Sequence, residues 1–167
     1  MRFDRLLFPL LLAACSKGDA DGSGAAAAKA ELPATALLSV EPTGALDVKT
    51  VIASAKSGDH VVVHGRVGDA GATTAFFTLV DPSLKACNEG AAMDECPTPW
   101  DFCCTPVDEM PKVFANVQFR QGENLRAGSL LGVGGLDHLT PVTVAGTAQK
   151  DEQGNLTIVA DALFVKR

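Results

Sequence analysis

"HVVVHGRVGD", residues 60–69, decides how the rest of the chain is read. The run Val61, Val62, Val63 is β-branched and favours extended backbone, and Gly65 gives that backbone a place to bend or bulge. The stretch reads as a first strand. Just upstream, "ALDVKTVIASAKSGD" spaces Leu46, Val48, Val51, Ile52 and Ala55 near the helical period. Asp47 is positioned to cap that short helix and Gly58 to stop it.

Downstream the period stays at two. "AFFTLVDP" (75–82) reads as a second strand closed by Asp81 and Pro82. "VFANVQF" (113–119) is a third, with Val113, Ala115, Val117 and Phe119 on one face, and "PVTVAGTA" (141–148) is a fourth. After the turn residues of "KDEQGN" comes "LTIVADALFV" (156–165), a fifth strand with Leu156, Ile158, Ala160, Ala162 and Phe164 alternating against its other face. Five short strands with turn signals favour closure, because a closed sheet has no exposed edges to aggregate.

The expected fold is therefore mainly β: a small five-stranded barrel preceded by one short helix. "GDHVVVHGRV", "AFFTLVD", "LTPVTVAGTA" and "LTIVADALFV" together resemble an OB-fold of the kind found in tRNA-anticodon-like and related bacterial domains. The resemblance spans roughly 46–165 and implies an extended ligand, an oligonucleotide or oligosaccharide, across the second and third strands. In this chain a cysteine-rich loop insertion, residues 83–112, separates those two strands.

The N-terminus points to export. "MRFDR" supplies two arginines, and "LLFPLLLAA" (6–14) is an apolar run that ends in small residues before Cys15. The run is far short of the roughly 20 residues a membrane-spanning helix needs. The order Leu12, Ala13, Ala14, Cys15 resembles the lipobox of bacterial lipoproteins, which implies a lipidated Cys15 as the mature N-terminus and a membrane partner through the acyl chains. Asp4 and Pro9 depart from the usual pattern. In that family an aspartate after the cysteine often marks inner-membrane retention; Ser16 stands there and leans toward the outer membrane. The expected organisation is a signal peptide over 1–14, a lipidated cysteine and flexible tether over 15–45, and the barrel domain over 46–167. The tether reading rests on "SKGDADGSGAAAAKAELPA", which has no hydrophobic period to offset its ordering entropy.

Charge narrows the partners. Removing 1–14 takes away Arg2, Arg5 and Asp4, moving the formal charge from −6 to −7, and the remaining basic residues are scattered. The footprint of a nucleic-acid binder is missing, so oligonucleotide binding by analogy with the fold is disfavoured. The expected partner is an envelope protein or glycan.

Cys87, Cys96, Cys103 and Cys104 form an even set in an exported chain, for which two disulfides are the default. Pairing Cys103 with Cys104 requires a strained ring, so each is expected to pair with one of Cys87 and Cys96, in either order. A closed loop of about 15 residues contributes on the order of 3 kcal/mol in a chain-entropy account. The rival is a zinc or copper thiolate site on the same sulfurs, or a redox pair. The spacing, with eight residues and then six between cysteines and a final adjacent pair, lacks CxxC knuckles. No metal or cofactor is therefore assigned.

Trp100 and Phe102 lie between these cysteines among Pro97, Pro99 and Pro106. They serve either as the small core of the clamped loop or as a candidate binding surface, an aromatic platform for a sugar ring or a partner. His60 and His64, four residues apart on a strand, stand about 13 Å from each other, too far to share one ion. His138 in "GLDHL" reads as a surface turn, "GVGGLD" (132–137) as a loop rather than a dinucleotide fingerprint, and Asp94, Glu95, Asp108 and Glu109 as solvated charges. No nucleophile, base and orienting group assemble in the sequence, so the expectation is a non-enzymatic binding or scaffold protein of the cell envelope.

Overall fold

The computed structural model describes residues 27–89 and 97–167. Its centre is β2 (His60–Ala70), where Val63 and Val67 point into the core and Arg66 points outward. One edge of β2 pairs antiparallel with β3 (Phe76–Val80), and the other pairs antiparallel with β7 (Pro141–Lys150). β3 continues to β4 (Phe114–Gln118), β4 runs parallel to β8 (Leu156–Val165), and β8 returns antiparallel to β7. The circuit β2-β3-β4-β8-β7-β2 is closed, giving the expected five-stranded OB-like barrel.

The core is the inner face of that circuit: Val63, Phe77, Leu79, Val117, Val144, Leu156, Ile158 and Leu163 are all buried. Each large aliphatic side chain withdrawn from water in this way contributes ~1.5–3 kcal/mol. A two-residue strand β1 (Leu46–Asp47) lies parallel to β2 and leads into α1 (Val48–Ser54), which sets Val48 and Val51 into the same core. Further on, α2 (Met110–Val113) precedes β4, and β5 (Arg120–Gln121) with β6 (Asn124–Leu125) forms a small hairpin. Val113 thus ends a helical turn, and the third barrel strand begins at Phe114.

Three local expectations are corrected. Gly65 is not a bulge: a Cβ there would stand 2.6 Å from the Val80 carbonyl oxygen, so the glycine admits the β3 backbone. The bulge in β2 falls between Val67 and Ala70. In β8 the register shifts opposite Ala145 and Gly146, so the inward alternation passes from Ala160 to Leu163 and Phe164 does not hold the core face. A Cβ on Gly146 would lie 2.3 Å from the Val159 carbonyl oxygen, which is why glycine stands at that close approach. Asp47 occupies the position before α1 without capping it; the Lys49 N–H instead donates to Asp81 Oδ2 at 3.0 Å.

Within the stretch expected as a flexible tether, residues 28–38 are held against the barrel. Ala30 N–H donates to Ser129 O and Ser129 N–H to Ala28 O, both at 2.8 Å. Leu38 and Leu163 are joined in the same manner, with Leu163 N–H reaching Ala36 O, and Ala30 and Ala36 are buried. The strap at 36–38 bonds to the part of β8 that lies beyond its pairing with β4, satisfying backbone groups that would otherwise form an open edge. The expected signal segment 1–14, Cys15 and residues 16–26 lie outside the described residues. Among the described residues no helix is long and apolar enough to cross a membrane.

Candidate functional site

Between β3 and β4 the chain leaves the barrel and builds a second, smaller core on its outer surface. Phe102, Val80 and Ala86 are buried there, with Leu84, Phe114 and Leu139 packed around them. Phe102 meets Phe114 edge-on at 6.0 Å between ring centroids. Phe102 is 4% exposed, so it belongs to the packing of the insertion and offers no face to a ligand.

Arg66 joins this core to the barrel. Its outward position on β2 sets the guanidinium carbon 5.5 Å from the Phe102 ring centre. Nη1 donates to Glu89 Oε1 at 2.6 Å and Nη2 to the Leu84 carbonyl at 2.5 Å, while the buried Nε has no partner among the described residues. The Arg66 hydrogen bond is the main reason the Glu89 carboxyl sits below its ordinary range, and the Ala86 N–H adds to it.

The two arms of the insertion are held side by side by their backbones. Cys87 N–H donates to Asp101 O and Asn88 N–H to Pro99 O, both at 2.8 Å. Thr105 N–H returns to Phe102 O at 2.9 Å, closing a turn whose central residues are Cys103 and Cys104. On a strand two adjacent side chains face opposite ways; a turn removes that constraint. The Sγ atoms of Cys87, Cys103 and Cys104 all lie within 4.8 Å of one another, and Cys87 Sγ is 3.2 Å from Cys103 Sγ. Cys87 is buried at the base of the cluster; Cys103 and Cys104 are exposed. No disulfide joins two of the described cysteines. Cys96, with Asp94 and Glu95, lies outside the described residues.

Trp100 stacks on His138 at 4.9 Å between centroids and 22° between planes. His138 Nδ1 lies 2.7 Å from the Gly68 carbonyl, which can only accept, so Nδ1 carries the proton. Trp100 is half-buried, one face on the imidazole, and of the two candidate platform residues it alone keeps surface. His138 is therefore more than a surface turn: it seats the tryptophan on the barrel. The adjoining Leu139 has φ 62°, the one positive φ outside glycine among the described residues, and its N–H donates to Val67 O at 2.7 Å. Arg66 and His138 were not singled out by sequence as contacts of the insertion. Arg66 was accessible from strand parity, since it alternates with Val67; His138 was not, because only the tertiary fold brings 138 to 100.

The remaining histidines do not converge. His60 is exposed, and His64 Nε2 pairs with Asp47 Oδ1 at 2.8 Å. No protein-family model matches the chain, and no curated protein does.

Proposed function

We propose that the chain is a lipid-anchored cell-envelope protein, a non-enzymatic binding or scaffold module whose barrel presents the cysteine-bearing insertion as its recognition element. One observation carries this reading: the insertion has its own core and is fixed on the outer side of β2, β3 and β4, where Phe102 packs with Arg66, Val80 and Phe114 while Trp100 sits on His138. That outer face is the one an OB-like barrel offers to an extended ligand, so the insertion stands between the barrel and any partner. The anchor rests on the lipobox-like Leu12–Cys15, the acidic balance disfavours nucleic acid, and an envelope protein or glycan is the partner that suits both.

In the oxidised chain the cysteines clamp the insertion. The short Cys87–Cys103 approach favours that pair as one bridge and leaves Cys96 to Cys104 as the other. Mass spectrometry of protein taken from its native envelope tests the reading. It should show acyl chains on Cys15 in the membrane fraction and lose both on Cys15→Ser; an unmodified Cys15 in the soluble fraction removes the anchor. Photo-crosslinking from position 100 should capture an envelope protein or glycan, and crosslinks confined to the barrel's opposite side remove the insertion as the recognition element.

A further inference from the structure

We infer that the reduced insertion is a binding site for a soft d10 cation, copper(I) or zinc(II), held by the thiolates of Cys87, Cys103 and Cys104. The inference rests on the reading of the insertion as the recognition element and gives it a ligand; it does not depend on the anchor.

The geometry argues for it from three directions. Zinc–sulfur bonds of about 2.3 Å place tetrahedral sulfurs about 3.8 Å apart, and soft thiolates are the ligands copper(I) prefers. Cys87 Sγ and Cys103 Sγ stand 3.2 Å apart and all three sulfurs lie within 4.8 Å of one another, so closing on an ion needs only a small adjustment of the three side chains. The three ligands also come from two arms already fixed to each other by the Cys87–Asp101 and Asn88–Pro99 backbone hydrogen bonds. Ordering the site therefore costs less than it would in an open loop. Finally, the cluster is graded from a buried base to an exposed rim, so an ion can enter past Cys103 and Cys104 and be desolvated against Cys87.

Binding moves no electrons. Three S–H bonds give up their protons to water, three metal–sulfur bonds form, and a fourth position is left for a solvent molecule. The site concerns the thiol form, which a reductant supplies whatever sulfur contacts Cys87 and Cys103 hold in the oxidised chain. Bridged and metal-bound forms use the same sulfurs and exclude each other.

The test is a titration of the full chain in detergent, reduced and kept free of oxygen, with zinc(II) alone and copper(I) alone against a chromophoric chelator. About one equivalent of one ion is expected to bind, with release of protons and slowed alkylation of Cys104. Cys103→Ser and Cys104→Ser should each weaken binding by at least about tenfold, the loss that removing even an outer partner of a ligand costs. Trp100 emission in each variant reports whether the insertion is still folded. A reduced wild-type chain that leaves both ions with the chelator overturns the site, and so does a folded Cys104→Ser that binds as tightly as wild type. Tighter copper than zinc, or the reverse, identifies the ion. None of these results bears on acylation of Cys15 or on crosslinking from position 100, so the two readings fail separately.

Discussion

Asp81, at the end of β3, caps α1 from 32 residues away: its Oδ2 accepts the Lys49 N–H at 3.0 Å. Its other oxygen accepts from the Ser83 N–H and hydroxyl, and Lys49 Nζ stands 3.8 Å away. One buried carboxylate therefore ties the helix, the end of a barrel strand and the start of the insertion together. Asp81→Ala should destabilise the domain by about 2 kcal/mol, a helix cap and a charged hydrogen bond lost at once. Asp47→Ala, which removes only an exposed pair with His64, should cost less than about 1 kcal/mol. Urea midpoints of the two variants decide the order, and an equal or reversed order refutes the long-range cap.

The same residue sets an acid limit. Burial alone would push the Asp81 carboxyl up, but the Lys49 and Ser83 hydrogen bonds and the Lys49 charge outweigh it and hold it below the ordinary aspartate range. A group depressed in the folded state stabilises above its unfolded pKa, about 3.9, and that contribution is lost as pH falls through the lower folded value. Stability should drop on acidification below about pH 4, and Asp81→Asn should flatten that drop while lowering stability at neutral pH. An unchanged acid limb in the variant would assign the limit to other carboxylates.

Much of this architecture is readable from residues alone, and the failures are instructive. The β-branched run at 61–63 and the alternation at 156–160 mark barrel strands because half-buried strands need that period. The parity beyond Asp161 is not readable, since a bulge leaves no period of its own. Residues 28–38 look like a tether because their small side chains show no amphipathic pattern; what orders them is backbone hydrogen bonding to Ser129 and Leu163, to which composition is blind. In the insertion, the cysteine count announces a sulfur cluster. The Phe102–Arg66 and Trp100–His138 contacts join residues 36 and 38 positions apart, and only the barrel's closure makes them neighbours.

The close approach at the β8 bulge predicts a sharp contrast between two glycines. Gly146→Ala drives a methyl group against the Val159 carbonyl between two paired strands, and it should cost on the order of 3 kcal/mol. Gly154→Ala meets open space and suffers only its φ of 84°, a cost of about 1 kcal/mol. Thermal midpoints should fall in that order. A tolerated Gly146→Ala would mean that the β7–β8 register can slip to make room.

Because the insertion has its own core, it should be separable from the barrel energetically. Phe102→Ala removes the largest buried side chain of that cluster and leaves the barrel core untouched. Reduced Phe102→Ala should be cut by trypsin at Lys85 or Lys112 under conditions where wild type resists, while the far-ultraviolet melting curve of the barrel moves by only a few degrees. Loss of the whole fold would show that the two cores are one cooperative unit.

His138 and Trp100 supply the last test, and it bears on what the insertion can recognise. The imidazole is fixed by its Nδ1 proton on the Gly68 carbonyl, and the indole lies flat on it, so one indole face is dry and the other is what remains for a partner. His138→Ala removes the seat without touching the insertion. The single tryptophan makes the outcome legible: its emission should shift to the red and become more open to iodide quenching. Aromatic pairs of this kind contribute ~0.5–1.5 kcal/mol beyond their buried area, so the variant should remain folded and report the change. His138→Phe, which restores a flat ring without the Gly68 bond, should recover part of the shielding and less of the stability. If emission is indifferent to residue 138, Trp100 is held by the cysteine-bearing turn alone, and the platform it offers is as mobile as that turn.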